Sequence, residues 1–183
     1  MKRVDVRRRG SWQSRARLLA WIFLAVMLIG ASRQCTAADF TPEEYVREVG
    51  GDAHIVPAEK LVIDGNSLIC GRRPTVFNSK LDDYGAAFPG FLILNPKLLA
   101  KVASTQVKLW IYSHECGHQF RGPDEATADC FGVQRGRRQR WLTPEGLEEV
   151  CRFISPAKSD SLHFQGAERC EAMRRCYADP SIK

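Results

Sequence analysis

The apolar residues in the second half of the chain are spaced as they are in helices. At residues 104–120 they recur at steps of three and four positions, and the pattern stops near Gly122, which predicts one helix. A second helix is predicted at residues 123–135, with Pro123 at its start and acidic residues in its first turn. Two more helices are expected, at about residues 143–154 and 167–177.

Upstream of these helices, the pattern predicts one short helix and a small sheet. Thr41 can cap a helix in which Pro42 takes the first position and Glu44 completes a capping box. Strands are expected on both sides of the turn at Asp64-Gly65-Asn66, at residues 75–77 and at residues 91–94, whereas residues 81–90 have the composition of a loop. Since the strands precede the main helices, the expected fold class is α+β, with a small antiparallel or mixed sheet.

The first 38 residues have the composition of an export signal. The chain of 183 residues carries a formal charge of +6, but residues 1–38 alone carry +7 and residues 39–183 carry −1. An arginine-rich start, an apolar run at residues 18–31 and small residues at positions 36–38 predict a signal peptide that is cleaved after residue 38. The alternative is a retained membrane anchor, although the apolar run would span only about 21 Å of a hydrocarbon core of roughly 30 Å.

These features predict an exported protein, periplasmic or secreted, that meets the membrane only through its export signal. Residues 39–183 are long enough for a single domain. Because that domain is nearly neutral, no nucleic-acid partner is expected, and four arginines are interpreted as a solvated face. These are Arg135, Arg137, Arg138 and Arg140.

Six cysteines follow the leader, namely Cys70, Cys116, Cys130, Cys151, Cys170 and Cys176. An even number in an exported chain favours three disulfides over six reduced thiols. On one helix Cys170 and Cys176 would lie about 120° from eclipsed, so they are expected to pair elsewhere. Cys116 should point away from His114, and a bridge from Cys116 to Cys130 would tie the two neighbouring helices together.

Residues 114–118 read His-Glu-Cys-Gly-His, an H-E-x-x-H pattern inside the first of the predicted helices. Four positions correspond to about 400° of helix, so His114 and His118 leave the same face and can bind one zinc ion at about 2.0 Å. Glu115 lies about 100° around the helix, where it can reach a zinc-bound water without being a ligand. Its expected role is that of general base toward this water.

A catalytic zinc ion needs a third protein ligand and one open position. Glu125 and Asp129 lie four positions apart in the next predicted helix and therefore on one face. We assign Glu125 as the third ligand and Asp129 as the carboxylate that accepts an N–H from a metal-bound histidine. Asp124, six positions after His118, is the competing third ligand. In a third interpretation, Asp124 and Glu125 are ordinary acids at a helix start.

H-E-x-x-H on one helix with E-x-x-x-D on the next resembles the gluzincin metallopeptidases, in particular the branch of CAAX-processing and heat-shock proteases. The resemblance covers about residues 89–132 and implies a zincin-like fold, peptide-bond hydrolysis and a peptide or protein substrate. It also implies that residues 91–94 form a sheet edge that pairs with substrate, the alternative being an ordinary core strand. Two features depart from that branch: the short interval between His118 and Glu125, and the lack of membrane-spanning helices.

The sequence thus predicts an exported zinc metallopeptidase. His114, His118 and Glu125 would bind Zn²⁺, Glu115 would activate water, and Asp129 would orient a histidine. The alternative is a non-catalytic zinc-containing envelope protein that acts as a binding module. His163 could serve as an additional hydrogen-bond donor, although a lone histidine is more often unrelated to a site.

Overall fold

The computed structural model describes residues 40–156 and 166–179. The predicted signal peptide at residues 1–38 and His163 lie outside the described residues. Among the described residues, none belongs to a helix long and apolar enough to cross a membrane.

The described part has the predicted α+β class, with the strands preceding the main helices. The strands are β1 (His54–Val56), β2 (Val62–Ile63), β3 (Asn66–Ser67), β4 (Thr75–Phe77), β5 (Gly85–Phe88) and β6 (Phe91–Leu94). The helices are α1 (Pro42–Val49), α2 (Pro96–Leu99), α3 (Thr105–Arg121), α4 (Glu125–Arg138), α5 (Pro144–Ile154) and α6 (Gly166–Ala178).

The predicted capping box at Thr41 and the predicted turn at Asp64-Gly65-Asn66 are both present. The Thr41 hydroxyl accepts the Glu44 N–H at 3.1 Å, and the Glu44 carboxylate accepts the Thr41 N–H at 3.0 Å, which completes the capping box of α1. Strands β2 and β3 form a hairpin around Asp64 and Gly65, whose φ angles are 47° and 81°. Two consecutive positive φ values are typical of the two-residue turn that matches strand twist.

Four strands form a mixed sheet in the order β1-β4-β6-β5. Strand β6 is parallel to β4 and antiparallel to β5, and all four of its residues are buried. The expectation that residues 91–94 form the sheet edge is therefore wrong, because β6 is a central strand. The edge beside it is β5.

Strand β5 lies inside residues 81–90, which the sequence predicts as a loop, so that prediction is wrong at residues 85–88 and holds for the rest of the range. Its first three residues are Gly85, Ala86 and Ala87, which have little intrinsic preference for strands. Pairing with β6 across the Pro89-Gly90 turn nevertheless holds this segment as a strand. Small side chains are useful at this place, because β5 lies directly against helix α3.

Helix α3 lies between the sheet and the remaining helices, and nine of its seventeen residues are buried. Its N-cap is Ser104, and Gly122 ends it with a φ of 85°. Close approach to α4 depends on Gly117, where an added Cβ would lie only 3.0 Å from the Ala128 Cα. The bounds of α3 agree with the predicted helix to within one residue.

The later helices differ from expectation mainly at α4. This helix begins at Glu125 and not at Pro123, because Asp124 is its N-cap and accepts the Thr127 N–H at 2.8 Å. It also continues to Arg138, three residues beyond the predicted end. Helices α5 and α6 lie within one residue of their predicted bounds.

Three disulfides are formed, which confirms the prediction that the six cysteines are paired. They join helices to one another and to residues 68–74, which follow the β2–β3 hairpin and are called the hairpin segment below. They are Cys70–Cys116, Cys130–Cys176 and Cys151–Cys170. A bridge from Cys116 to Cys130 is therefore wrong, because Cys116 faces the segment before β4 and Cys130 faces α6. Cys170 and Cys176 do not pair with each other, as their helical spacing predicts. Three disulfides are typical of proteins outside the cytoplasm.

The arginine cluster after the α4 midpoint is only partly a solvated face. Arg135 is 7% exposed and donates to the Ile69 carbonyl at 2.6 Å. Arg137 donates to the carbonyls of Tyr177 and Asp179 at 2.7 and 2.6 Å. These two arginines anchor the hairpin segment and the C-terminal end of α6, whereas Arg138 and Arg140 are exposed.

Candidate metal centre

Two histidines of α3 and one glutamate of α4 converge on a single point. The Nε2 atoms of His114 and His118, one helical turn apart, are separated by 3.1 Å. The Glu125 carboxylate lies 3.2 Å from Nε2 of His114 and 3.3 Å from Nε2 of His118. Nitrogen and oxygen ligands at about 2.0 Å from a tetrahedral zinc ion lie roughly 3.3 Å from one another. The three side chains thus have the separations that would let them hold a metal ion.

The turn between the helices explains how Glu125 reaches the histidines. Gly122 ends α3, and its N–H donates to the His118 carbonyl at 3.2 Å. Asp124 then caps α4, so that Glu125 is the first residue of the new helix. Only two residues lie between Gly122 and Glu125, and the reversal brings the Glu125 carboxylate back over the histidine face of α3.

Both histidines are oriented through their other ring nitrogen. Nδ1 of His114 donates to Asp129 at 2.9 Å, and Nδ1 of His118 donates to the Gly122 carbonyl at 3.0 Å. With the proton on Nδ1, the Nε2 lone pair is available for a cation. Such outer contacts are a regular feature of metal-binding histidines.

The competing ligand Asp124 does not join this cluster. Its carboxylate accepts hydrogen bonds from the backbone and the hydroxyl of Thr127 at the start of α4. His54, the other described histidine outside the cluster, is exposed and contacts the Asp52 carbonyl at 2.9 Å. A second grouping of Glu148, Cys151 and Cys170 offers no thiolate, because the two cysteines are bonded to each other.

Charge interactions inside the cluster shift the pKa values of its members. Burial alone would lower the pKa of His114, but its contacts with Asp129 and Glu125 outweigh burial and raise the pKa to about 9. Burial would raise the pKa of Glu125, but its contacts with both histidines hold that pKa well below the usual range. The pKa of His118 is raised chiefly by Glu125. In the metal-free cluster, the Glu125 carboxylate therefore favours protonation of the histidine rings, whereas the charge of His114 opposes protonation of His118.

Glu115 lies beside the cluster in a largely buried position. Burial raises the pKa of its carboxyl group, and the neighbouring histidine charges oppose this change. The side chain extends toward β5, where a Cβ added to Gly85 would lie 2.9 Å from the Glu115 Cγ. Glycine at position 85 thus makes room for the Glu115 side chain under the edge strand.

One residue at this centre is absent from the sequence interpretation. Arg169 of α6 donates from Nε and Nη2 to the two carboxylate oxygens of Asp129, at 2.8 and 2.7 Å. Burial would raise the pKa of Asp129, but hydrogen bonds from Arg169 and His114 lower it. Forty residues separate the two members of this ion pair, and no spacing pattern in the sequence connects them.

The stability of the metal-free protein should fall as the pH rises through the raised pKa of His114. That pKa is 6.5 ordinarily and about 9 in the folded chain, so the stabilising contribution is fully present below pH 6.5 and is lost by pH 9. A shift of this size corresponds to about 3 kcal/mol in the free energy of unfolding.

Denaturant titration of the metal-free chain across this pH range measures the effect. His114→Gln should flatten the dependence, and His54→Gln, a change at an exposed histidine outside the cluster, should leave it intact. A slope that persists unchanged in His114→Gln would contradict the assignment.

Two imidazoles and one carboxylate form a donor set that suits zinc and other divalent first-row metals. Within the described residues three side chains converge at this point, whereas structural zinc sites usually have four protein ligands. Comparisons of the chain with protein-family models, curated proteins and solved structures found no match.

Proposed function

We propose that this protein is an exported zinc-dependent metallopeptidase. In this proposal His114, His118 and Glu125 hold Zn²⁺, and Glu115 acts as the general base. The observation that carries the proposal is the set of separations of 3.1–3.3 Å among the three ligand side chains. These are close to the separations that tetrahedral zinc requires, about 3.3 Å.

The residues around the ligands suit hydrolysis by an activated water. A bound zinc ion would polarise a carbonyl group and lower the pKa of a water ligand to about 7. Glu115 follows His114 directly on α3 and is not one of the three ligands. Burial raises the pKa of the Glu115 carboxyl group, which makes this carboxylate a stronger proton acceptor, able to take a proton from water and return it to a leaving amine.

Strand β5 offers a main-chain surface for an extended peptide beside this base. Within the described residues β5 pairs with β6 alone, so its other side is a sheet edge. In the antiparallel ladder, alternate residues direct their N–H and C=O groups away from the neighbouring strand. The Tyr84 carbonyl accepts the Asn95 N–H, so the backbone of Tyr84 is directed toward β6. By alternation, the residues whose N–H and C=O groups are directed outward are Gly85 and Ala87. An added peptide strand would therefore run past Glu115.

The test is metal-dependent cleavage of a broad peptide library by residues 39–183 with the disulfides formed. We expect cleavage by the zinc-loaded chain, its loss after chelation, and its recovery when zinc is added back. A hydroxamate should inhibit by occupying the open position. A chain that binds zinc but neither cleaves peptides nor binds hydroxamates would instead support a non-catalytic binding protein.

A further inference from the structure

The carboxylate of Asp129 is shared by donors from two different helices. Oδ1 accepts both the His114 Nδ1–H at 2.9 Å and the Arg169 Nη2–H at 2.7 Å, and Oδ2 accepts the Arg169 Nε–H at 2.8 Å. Asp129 is 1% exposed. The two-point contact with the planar guanidinium fixes the plane of the carboxylate. Arg169 therefore holds in place the oxygen that accepts the hydrogen bond from His114.

Arg169 is itself held by its surroundings. Its side chain is 10% exposed, and its guanidinium carbon lies 6.0 Å from the centre of the Trp110 ring. Trp110 stands one turn before His114 on α3, with the two ring centres 5.5 Å apart. The ion pair thus lies in a low-dielectric layer, where a buried carboxylate without its cation would be strongly destabilised.

Helix α6, which carries Arg169, is joined to α4 and to α5 by one disulfide each, in addition to its packing against the core. Among the described residues of α6, Gly166, Cys170 and Met173 are buried, and Tyr177 packs against the core. Cys170, the residue after Arg169, is bonded to Cys151 of α5. Cys130, the residue after Asp129, is bonded to Cys176 of α6. Each member of the ion pair therefore has a disulfide at the next position in the chain.

We propose that Arg169 is a positioning residue of the metal centre, which it supports through Asp129, and that the two disulfides of α6 make tight metal binding a property of the oxidised chain. The inference rests on the proposed function, because it concerns the same three metal ligands. Its consequence is that the chain acquires its metal affinity where disulfides form, after export. A dithiol that reduces these two disulfides supplies two electrons and two protons to each S–S bond, which becomes two cysteine thiols. The dithiol is itself oxidised to a cyclic disulfide.

The primary test is the zinc affinity of Arg169→Met, measured by competition with a chromophoric chelator. We expect a loss of about 10- to 100-fold, the range found for groups that orient metal-bound histidines. The matched control is Arg174→Met, which removes the ion pair with Glu148 of α5 and the ion pair with Glu171 inside α6, and leaves Asp129 untouched. This control should bind zinc as tightly as the wild type does, because Arg174 tethers α6 to α5 without contacting Asp129.

Two further readouts separate positioning from general stability. The visible absorption spectrum of the Co²⁺-loaded chain reports ligand geometry, and it should change in Arg169→Met but not in Arg174→Met. In a double-mutant cycle, Arg169→Met combined with Asp129→Asn should have the zinc affinity of Asp129→Asn alone. Additive losses, or wild-type zinc affinity with an unchanged Co²⁺ spectrum in Arg169→Met, would overturn the inference.

The disulfide part is tested with Cys151→Ser/Cys170→Ser, and with Cys130→Ser/Cys176→Ser as a second release of α6. Folding is followed by circular dichroism. A chain that retains its helical signal and loses zinc affinity as Arg169→Met does would support the inference, whereas wild-type affinity in both variants would overturn its disulfide part. A wild-type chain that binds no zinc would overturn the proposed function itself. If the wild type binds zinc and Arg169→Met binds it equally tightly, only the inference is overturned.

Discussion

Replacing Glu115 by glutamine should abolish most peptide cleavage while the chain keeps its zinc. A carboxamide cannot accept a proton from water, and general acid–base groups contribute about 10²- to 10⁴-fold to rates. The expected fall in kcat/KM lies in this range. The affinity for zinc should be largely unchanged, because Glu115 is not among the three side chains that could hold a metal ion.

The measurement combines cleavage kinetics with a zinc titration of the same preparation. Glu145→Gln is a matched control, since it removes an exposed carboxylate in the first turn of α5. It should cleave peptides at the wild-type rate. Undiminished cleavage by Glu115→Gln would remove Glu115 from the mechanism.

The second large effect is expected at Glu125, with its neighbour Asp124 as the comparison. Glu125→Ala removes one of the three proposed ligand side chains, so the zinc affinity should fall by more than the roughly 100-fold attributed to outer groups. Asp124→Ala removes an N-cap and should cost about 1 kcal/mol of stability with little change in zinc affinity.

Chelator competition on both variants decides between the two acids. The reverse result, with zinc lost from Asp124→Ala and retained by Glu125→Ala, would show that the metal uses the other carboxylate. Thermal unfolding of the metal-free variants separates the capping effect from the loss of a ligand.

Much of the fold was predictable because its signals are local. The capping box at Thr41, the turn at Asp64 and Gly65, and the periodic run that became α3 each act within a few residues. The geometry of one helix likewise brings His114 and His118 onto one face, and this requires no knowledge of the rest of the molecule.

The sequence predictions that were wrong concern features that long-range contacts determine. Gly85, Ala86 and Ala87 form a strand only because β6 lies beside them, and the order of strands in the sheet makes β5 the edge. The disulfide partners of Cys116 and Cys130 depend on where the hairpin segment and α6 pack. Neither feature has a signature in sequence spacing.

The candidate site shows the same division. Glu125 and Asp129 could be singled out because they lie one helical turn apart just after the histidines. The identity of the N-cap, which removes Asp124 from the cluster, depends on the helix beginning two residues later than Pro123 suggests. Arg169 could not be found, because its approach to Asp129 depends on the packing of α6.

The proposed metal site is tested most directly by the zinc K-edge X-ray absorption spectrum of the zinc-loaded, oxidised protein. We expect about one zinc ion per chain, with a shell of nitrogen and oxygen atoms at about 2.0 Å that includes two imidazoles and no sulfur. Zinc that is lost on dialysis, or a sulfur shell at about 2.3 Å, would contradict a site built from His114, His118 and Glu125.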